Sequence, residues 1–169
     1  MRTTRKAKPL SSNLETFLKD ATRVVVIGMG NELRGDDAVG LEIVRNLKNH
    51  QSPRLTVYEG HMTPEAFIAP ACSLKPSHLL IIDAAELKRR PGTWRLLSRE
   101  EIQTGLFTTH YLPATAVADE LSHRCGTKVA FLGVQPKSRE ITFSRSPECI
   151  HAAQGIATLL RKLVDHLSP

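Results

Sequence analysis

Arg23-Val24-Val25-Val26-Ile27-Gly28 is an unbroken run of apolar, β-branched residues that ends on glycine. A strand with one face in water alternates polar and apolar residues. This one does not alternate, so it reads as a strand buried on both faces, as in a parallel sheet. Gly28-Met29-Gly30-Asn31 reads as a turn. From Asp36 the period changes: Ala38, Leu41, Val44 and Leu47 recur every third residue, and Ile43 widens the stripe. That spacing predicts an amphipathic helix.

The same unit recurs downstream. Leu55–Glu59 reads as a second strand, and Thr63-Pro64-Glu65 opens a helix to about Cys72, with proline at its first position. His78–Asp83 is a third apolar strand, Thr93–Leu97 a fourth and Lys128–Val134 a fifth; Glu140–Ser144 has the look of a short extra one. Helices are expected from Pro113 to about Arg124 and from Ser146-Pro147-Glu148 onward, the latter with Ile150, Ala153, Ile156, Leu160 and Val164 at helical spacing. Upstream, Ser12 and Glu15 form a capping-box pattern, which predicts a short helix over 12–20. Strands alternating with helices predict one α/β domain over residues 11–169. Its expected form is a three-layer sandwich, with a mostly parallel twisted sheet of about five strands and helices on both faces. Residues 1–10 read as a flexible basic arm, dispensable for the chemistry.

A chain of 169 residues with 41% hydrophobic and 24% charged residues can bury an ordinary core. No run approaches the ~20 apolar residues of a membrane span. The basic N-terminus lacks the apolar core of a secretory signal, so a cytoplasmic setting is expected. Residues 1–23 carry +4 of the net charge of +6, and there are only eight aromatic residues. That argues against a nucleic-acid partner. Cys72, Cys125 and Cys149 are odd in number and widely spaced, which predicts three reduced thiols.

In parallel sheets, sites form where loops leave the carboxyl ends of the strands. Asp37 follows the first strand, Glu59 ends the second and Asp83 ends the third. Dinucleotide binding has Gly28-x-Gly30 and Glu59 in its favour, but Leu33 replaces the third glycine. Asp36 and Asp37 also stand where a pyrophosphate would need a bare helix start. There is no Gly-x-Ser-x-Gly elbow and no His-Glu-x-x-His. Asp37, Asp83 and His110 offer two carboxylates and an imidazole, a donor set suited to nickel or zinc with positions left open. Each has a plainer reading. Asp36 or Asp37 caps the helix, Asp83 caps the next segment or pairs with Lys88 or Arg89, and His110 is an ordinary loop residue. His50, His78, His123, His151 and His166 read as structural or surface residues.

Five motifs in order resemble one family. They are Gly28-Met-Gly-Asn31 with Gly35-Asp-Asp37-Ala-Val-Gly40, Leu79–Ala84, Pro91-Gly92-Thr93, Thr108-Thr-His110-Tyr-Leu-Pro113 and Phe131–Pro136. Together they resemble the endopeptidases that mature nickel–iron hydrogenases, most closely the hydrogenase-3-type, HycI-like branch. The resemblance implies removal of a C-terminal extension from the large-subunit precursor once nickel is in place. It puts nickel recognition on Asp37, Asp83 and His110, with Asp37 and Asp83 as candidates for catalysis. Gly30, Asn31, Asp36 and Thr109 are expected beside the substrate. The nickel is expected to come with the substrate and to be bound transiently by a monomer without membrane insertion. A non-catalytic nickel metallochaperone for hydrogenase assembly is the alternative. One departure stands out: the family commonly has Asp-Gly-Gly after the second strand, whereas this chain has Glu59-Gly60-His61. His61 reads more simply as structural or exposed than as a ligand.

Overall fold

The computed structural model describes residues 10–103 and 114–167. In chain order the elements are α1 (Leu10–Leu18), β1 (Val24–Met29), a 3-10 turn (Gly35–Ala38) leading into α2 (Val39–Leu47), and β2 (Leu55–His61). A 3-10 turn (Pro64–Phe67) leads into α3 (Ile68–Ser73), then β3 (His78–Ala84) and β4 (Trp94–Leu97). The chain closes with α4 (Arg99–Gln103), α5 (Ala114–Cys125), β5 (Lys128–Val134) and α6 (Pro147–Asp165). The sheet runs β2-β1-β3-β5-β4. All neighbours are parallel except β4, which pairs antiparallel with β5 on the edge.

The continuous apolar strands do what their sequence requires. Every residue of β1 and β3 is buried. Val24, Val26, Leu80, Ile82 and Leu132 face a core built with α1, α2 and α6. Val25, Ile27, Leu79, Ile81 and Phe131 face another built with α3, α4 and α5. The expected three-layer α/β sandwich is the observed one. Several local expectations are corrected. The N-terminal helix spans Leu10–Leu18 rather than 12–20, and fully buried Leu14 belongs to the core. Residues 140–144 form no strand; Thr142 makes only a single parallel bridge with Arg34. Cys72 and Cys125 are not free thiols but a disulfide, because the ends of α3 and α5 meet on one face with their Cα atoms 4.9 Å apart. Cys149 alone remains a free, buried thiol.

Two glycines decide how the sheet receives α2. A Cβ on Gly40 would lie 2.3 Å from the Ile82 carbonyl oxygen and 2.4 Å from that of Met29, and one on Gly28 would lie 2.1 Å from the Gly40 carbonyl oxygen. The first turn of α2 thus rests directly on the backbone of β1 and β3.

The preceding turn is fastened from elsewhere. Asp36 is buried, and its carboxylate accepts from Ser146 N–H at 2.6 Å, Ser146 O–H at 2.7 Å and Lys137 N–H at 2.9 Å. Ser146 in turn caps α6 by accepting from Cys149 N–H, with Pro147 at the first helical position. Burial works against ionisation of Asp36, but the hydrogen bonds from Ser146 and Lys137 outweigh it and hold its pKa below the usual aspartate value.

Two outcomes follow for stability. Ala has the better helix propensity, yet Gly40→Ala is expected to destabilise by about 2–3 kcal/mol, because two backbones must part to admit the methyl. Thermal melting should show a fall of roughly 5–10 °C; a rise would mean that propensity outweighs the contact. Folding lowers the Asp36 pKa, so its contribution is complete above the unfolded value and fades as pH falls through the folded one. Asp36→Asn should cost about 2 kcal/mol at pH 7. Urea unfolding should show the gap to wild type closing below about pH 4.

Candidate active site

Parallel strands bring their carboxyl ends to one edge, and the acidic residues gather there. Asp83, next to last in β3, is fully buried, and one of its oxygens accepts from Ala84 N–H at 2.8 Å. Asp37 lies on the 3-10 turn after β1 and is 2% exposed. That turn packs against β3, and the Asp37 carbonyl oxygen would be 2.2 Å from a Cβ on Gly30. Gly30 holds a φ of 142°, open to glycine alone, and donates its N–H to the His61 carbonyl at 2.8 Å. Two carboxylates 46 positions apart in the chain are thereby delivered to one poorly solvated edge.

The plainer readings of these residues divide: Asp83 does accept from the N–H of the residue that follows it. Neither the 3-10 turn nor α2 has a side-chain cap, so neither Asp36 nor Asp37 serves as one. Asp36, expected beside the substrate, spends both oxygens on the 137–146 segment. Asn31, half-buried next to Gly30, accepts from Leu33 N–H through its side-chain oxygen at 3.0 Å. Thr109 and His110, with the rest of their motif, lie outside the described residues. No group of three His, Cys, Asp or Glu among the described residues is arranged to hold a metal ion.

The rival chemistries lose their residues. Glu59, the candidate ribose ligand, instead binds Lys48 at 2.7 Å and Arg45 at 2.8 Å, and these cations hold its carboxyl below the usual range. Arg45 also binds Glu32. Cysteine catalysis has no nucleophile: Cys72 and Cys125 are joined, and burial pushes the Cys149 thiol up to about 11. His78 is buried at the amino end of β3, away from the carboxyl edge, against Phe17 and Asp20. His61 is exposed at the carboxyl end of β2, where β1 and β2 slip register, and its φ of 49° is a strained value for a residue with a side chain.

One supporting residue entered the sequence analysis only as a member of the Phe131–Pro136 motif, with no role assigned to it. Buried Gln135 accepts from Leu87 N–H at 2.7 Å through its side chain. Its backbone receives Gly92 N–H at 2.9 Å. It therefore fixes the segment that follows Asp83. Beyond the motif, its signal was a polar amide closing an apolar strand.

Similarity to known proteins agrees with this geometry. The sequence model of the HycI hydrogenase maturation proteases matches residues 41–162, a span that holds Asp83 and His110 and begins just after Asp37. The hydrogenase 3 maturation protease of Escherichia coli is 32% identical over 113 residues, covering 66% of this chain and 72% of its own. The hydrogenase 2 maturation protease of the same organism is 31% identical over 134 residues, covering 74% of this chain and 80% of its own. The crystal structure of the [NiFe] hydrogenase maturation protease HycI from Thermococcus kodakarensis superposes with a TM-score of 0.84 at 25% identity, covering 91% of this chain and 99% of that one. With the family matched over most of its length and the fold shared almost end to end, this chain belongs to the hydrogenase maturation proteases and is an endopeptidase of that class.

Proposed function

We propose that this endopeptidase removes the C-terminal extension of a nickel–iron hydrogenase large-subunit precursor after nickel insertion, and that Asp37, Asp83 and His110 read the presence of the nickel. The observation that carries the reading is the delivery of buried Asp37 and Asp83 to one edge of the sheet, in a chain of this family. The nickel arrives with the substrate. Two carboxylates and an imidazole offer it a borderline-to-hard donor set with open positions. Without the metal, the same carboxylates repel one another and any acidic part of the precursor, so binding is coupled to loading.

Cutting requires an activated water and a polarised carbonyl. One aspartate takes a proton from water, and the water oxygen adds to the peptide carbonyl carbon. The C–N bond breaks as its nitrogen gains the proton, and the acid formed passes its own proton to the amine, leaving a carboxylate on one fragment and an ammonium on the other. The arm before Leu10 has no part in these steps, whereas α1 belongs to the fold: Leu14 and Leu18 are buried, each worth about 2 kcal/mol.

The test is cleavage of purified precursor with and without nickel. Wild type should shorten only the loaded form. Asp37→Asn, Asp83→Asn and His110→Ala should each lower the rate by about a hundredfold or more. Wild-type rates in all three would refute the assignment, and nickel transfer without shortening would favour a metallochaperone.

A further inference from the structure

His61 ends β2 with a φ of 49°, in the left-handed region that favours glycine. Lys75 and Lys88 share that sign, but in ordinary places. Lys75 follows α3 and donates its N–H to the Cys72 carbonyl at 2.9 Å, as chains do when they leave a helix. Lys88 stands in a turn and donates its N–H to the Glu86 side chain. His61 belongs instead to a paired strand.

The main chain at His61 is fixed by its neighbours. Gly28 pairs with Glu59 and Met29 with His61, so the register slips past Gly60. The His61 carbonyl then accepts Gly30 N–H at 2.8 Å. Gly30 rests in turn on the backbone of Asp37, whose carbonyl oxygen would lie 2.2 Å from an added Cβ. One hydrogen bond and one backbone contact thus join His61 to the turn of Asp37. Glycine would supply all of this without strain. What histidine adds is the imidazole, which is exposed and makes no hydrogen bond or ion pair among the described residues. Strain borne at the carboxyl edge for a side chain that the fold does not use points to a partner outside the fold.

The surroundings say what group that partner offers. Glu32 lies close by: its pKa is lowered chiefly by Arg45 and, to a smaller degree, by the His61 ring. Arg45 binds Glu32 and Glu59, Lys48 binds Glu59, and Arg145 approaches Glu42 at 3.7 Å. In this cluster three carboxylates meet three cations, so it draws a charged group of neither sign. A neutral acceptor remains, and every substrate of an endopeptidase has one in its main-chain carbonyls.

We propose that His61 is a substrate-binding residue, whose ring N–H donates to a main-chain carbonyl of the precursor near the cleaved bond and seats that chain over the edge of Asp37 and Asp83. This rests on the function proposed above. It gives His61 no part in holding nickel or in breaking the bond.

The test is steady-state cleavage of nickel-loaded precursor by the full chain and by His61→Gly, His61→Asn and His61→Gln. Glycine relaxes the backbone, so His61→Gly should melt within about 3 °C of wild type or above it. Its KM should still rise about fivefold or more, with kcat held within about twofold. Asparagine places an N–H near the ring Nδ1 and glutamine near Nε2, so one of the two should bring KM back to within about twofold of wild type. The loss in His61→Gly should be the same at low and high ionic strength, because the bound group is neutral. An unchanged KM in His61→Gly, with wild type cutting normally, overturns the proposal and leaves the proposed function standing. So does a fall in kcat alone, which would give position 61 to the turn of Asp37, or a failure of both amides to rescue. A loss that fades with added salt means a charged partner and overturns the carbonyl assignment. Loaded precursor left whole by the wild type overturns the function itself and this role with it.

Discussion

The close seat of α2 on the sheet is the constraint from which the site follows. Helices commonly pack with axes 8–10 Å apart and a layer of side chains between them. Where Gly40 meets the carbonyls of Met29 and Ile82, no such layer exists. The turn before α2 is pressed against the carboxyl end of β3, and Asp37 is carried to the strand end that bears Asp83. A 3-10 turn advances about 120° per residue, so adjacent side chains diverge. Asp36 therefore turns to the 137–146 segment, and Asp37 is left to the edge.

The sheet was legible because strands buried on both faces have no polar positions to blur the pattern; Val24–Met29 and His78–Ala84 announce themselves. Features resting on distant partners were not. Arg99–Gln103 is a helix of five residues, too short to show a period. The antiparallel direction of Trp94–Leu97 depends on its pairing with β5, some 34 residues onward. The disulfide joins residues separated by 53 positions, and nothing in the spacing of three cysteines says which helices end together.

The site shows the same division. The positions of Asp37 and Asp83 at strand ends could be read directly, since the strands themselves could. The contrast between Asp36 and Asp37 could not. Both are buried aspartates side by side, and what separates them is a serine 110 positions later in the chain. Glu59 was misleading for a similar reason. Its place at the end of β2 fits a ligand role, but Arg45 on the preceding helix and Lys48 at that helix's end claim its charge.

The Asp36–Ser146 tie has a consequence for the order in which the protein is made. The turn that bears Asp37 leaves the ribosome early, whereas Ser146 and the last helix come near the end of synthesis. β5, which lies between β3 and β4 in the sheet, is also a late arrival. A nascent chain that has exposed its first three strands thus carries both aspartates without the parts that fix their turn. Contacts of such long sequence separation form last, after the loop-closure entropy has been met. The turn of Asp37 therefore gains its tie only once the last helix has been made.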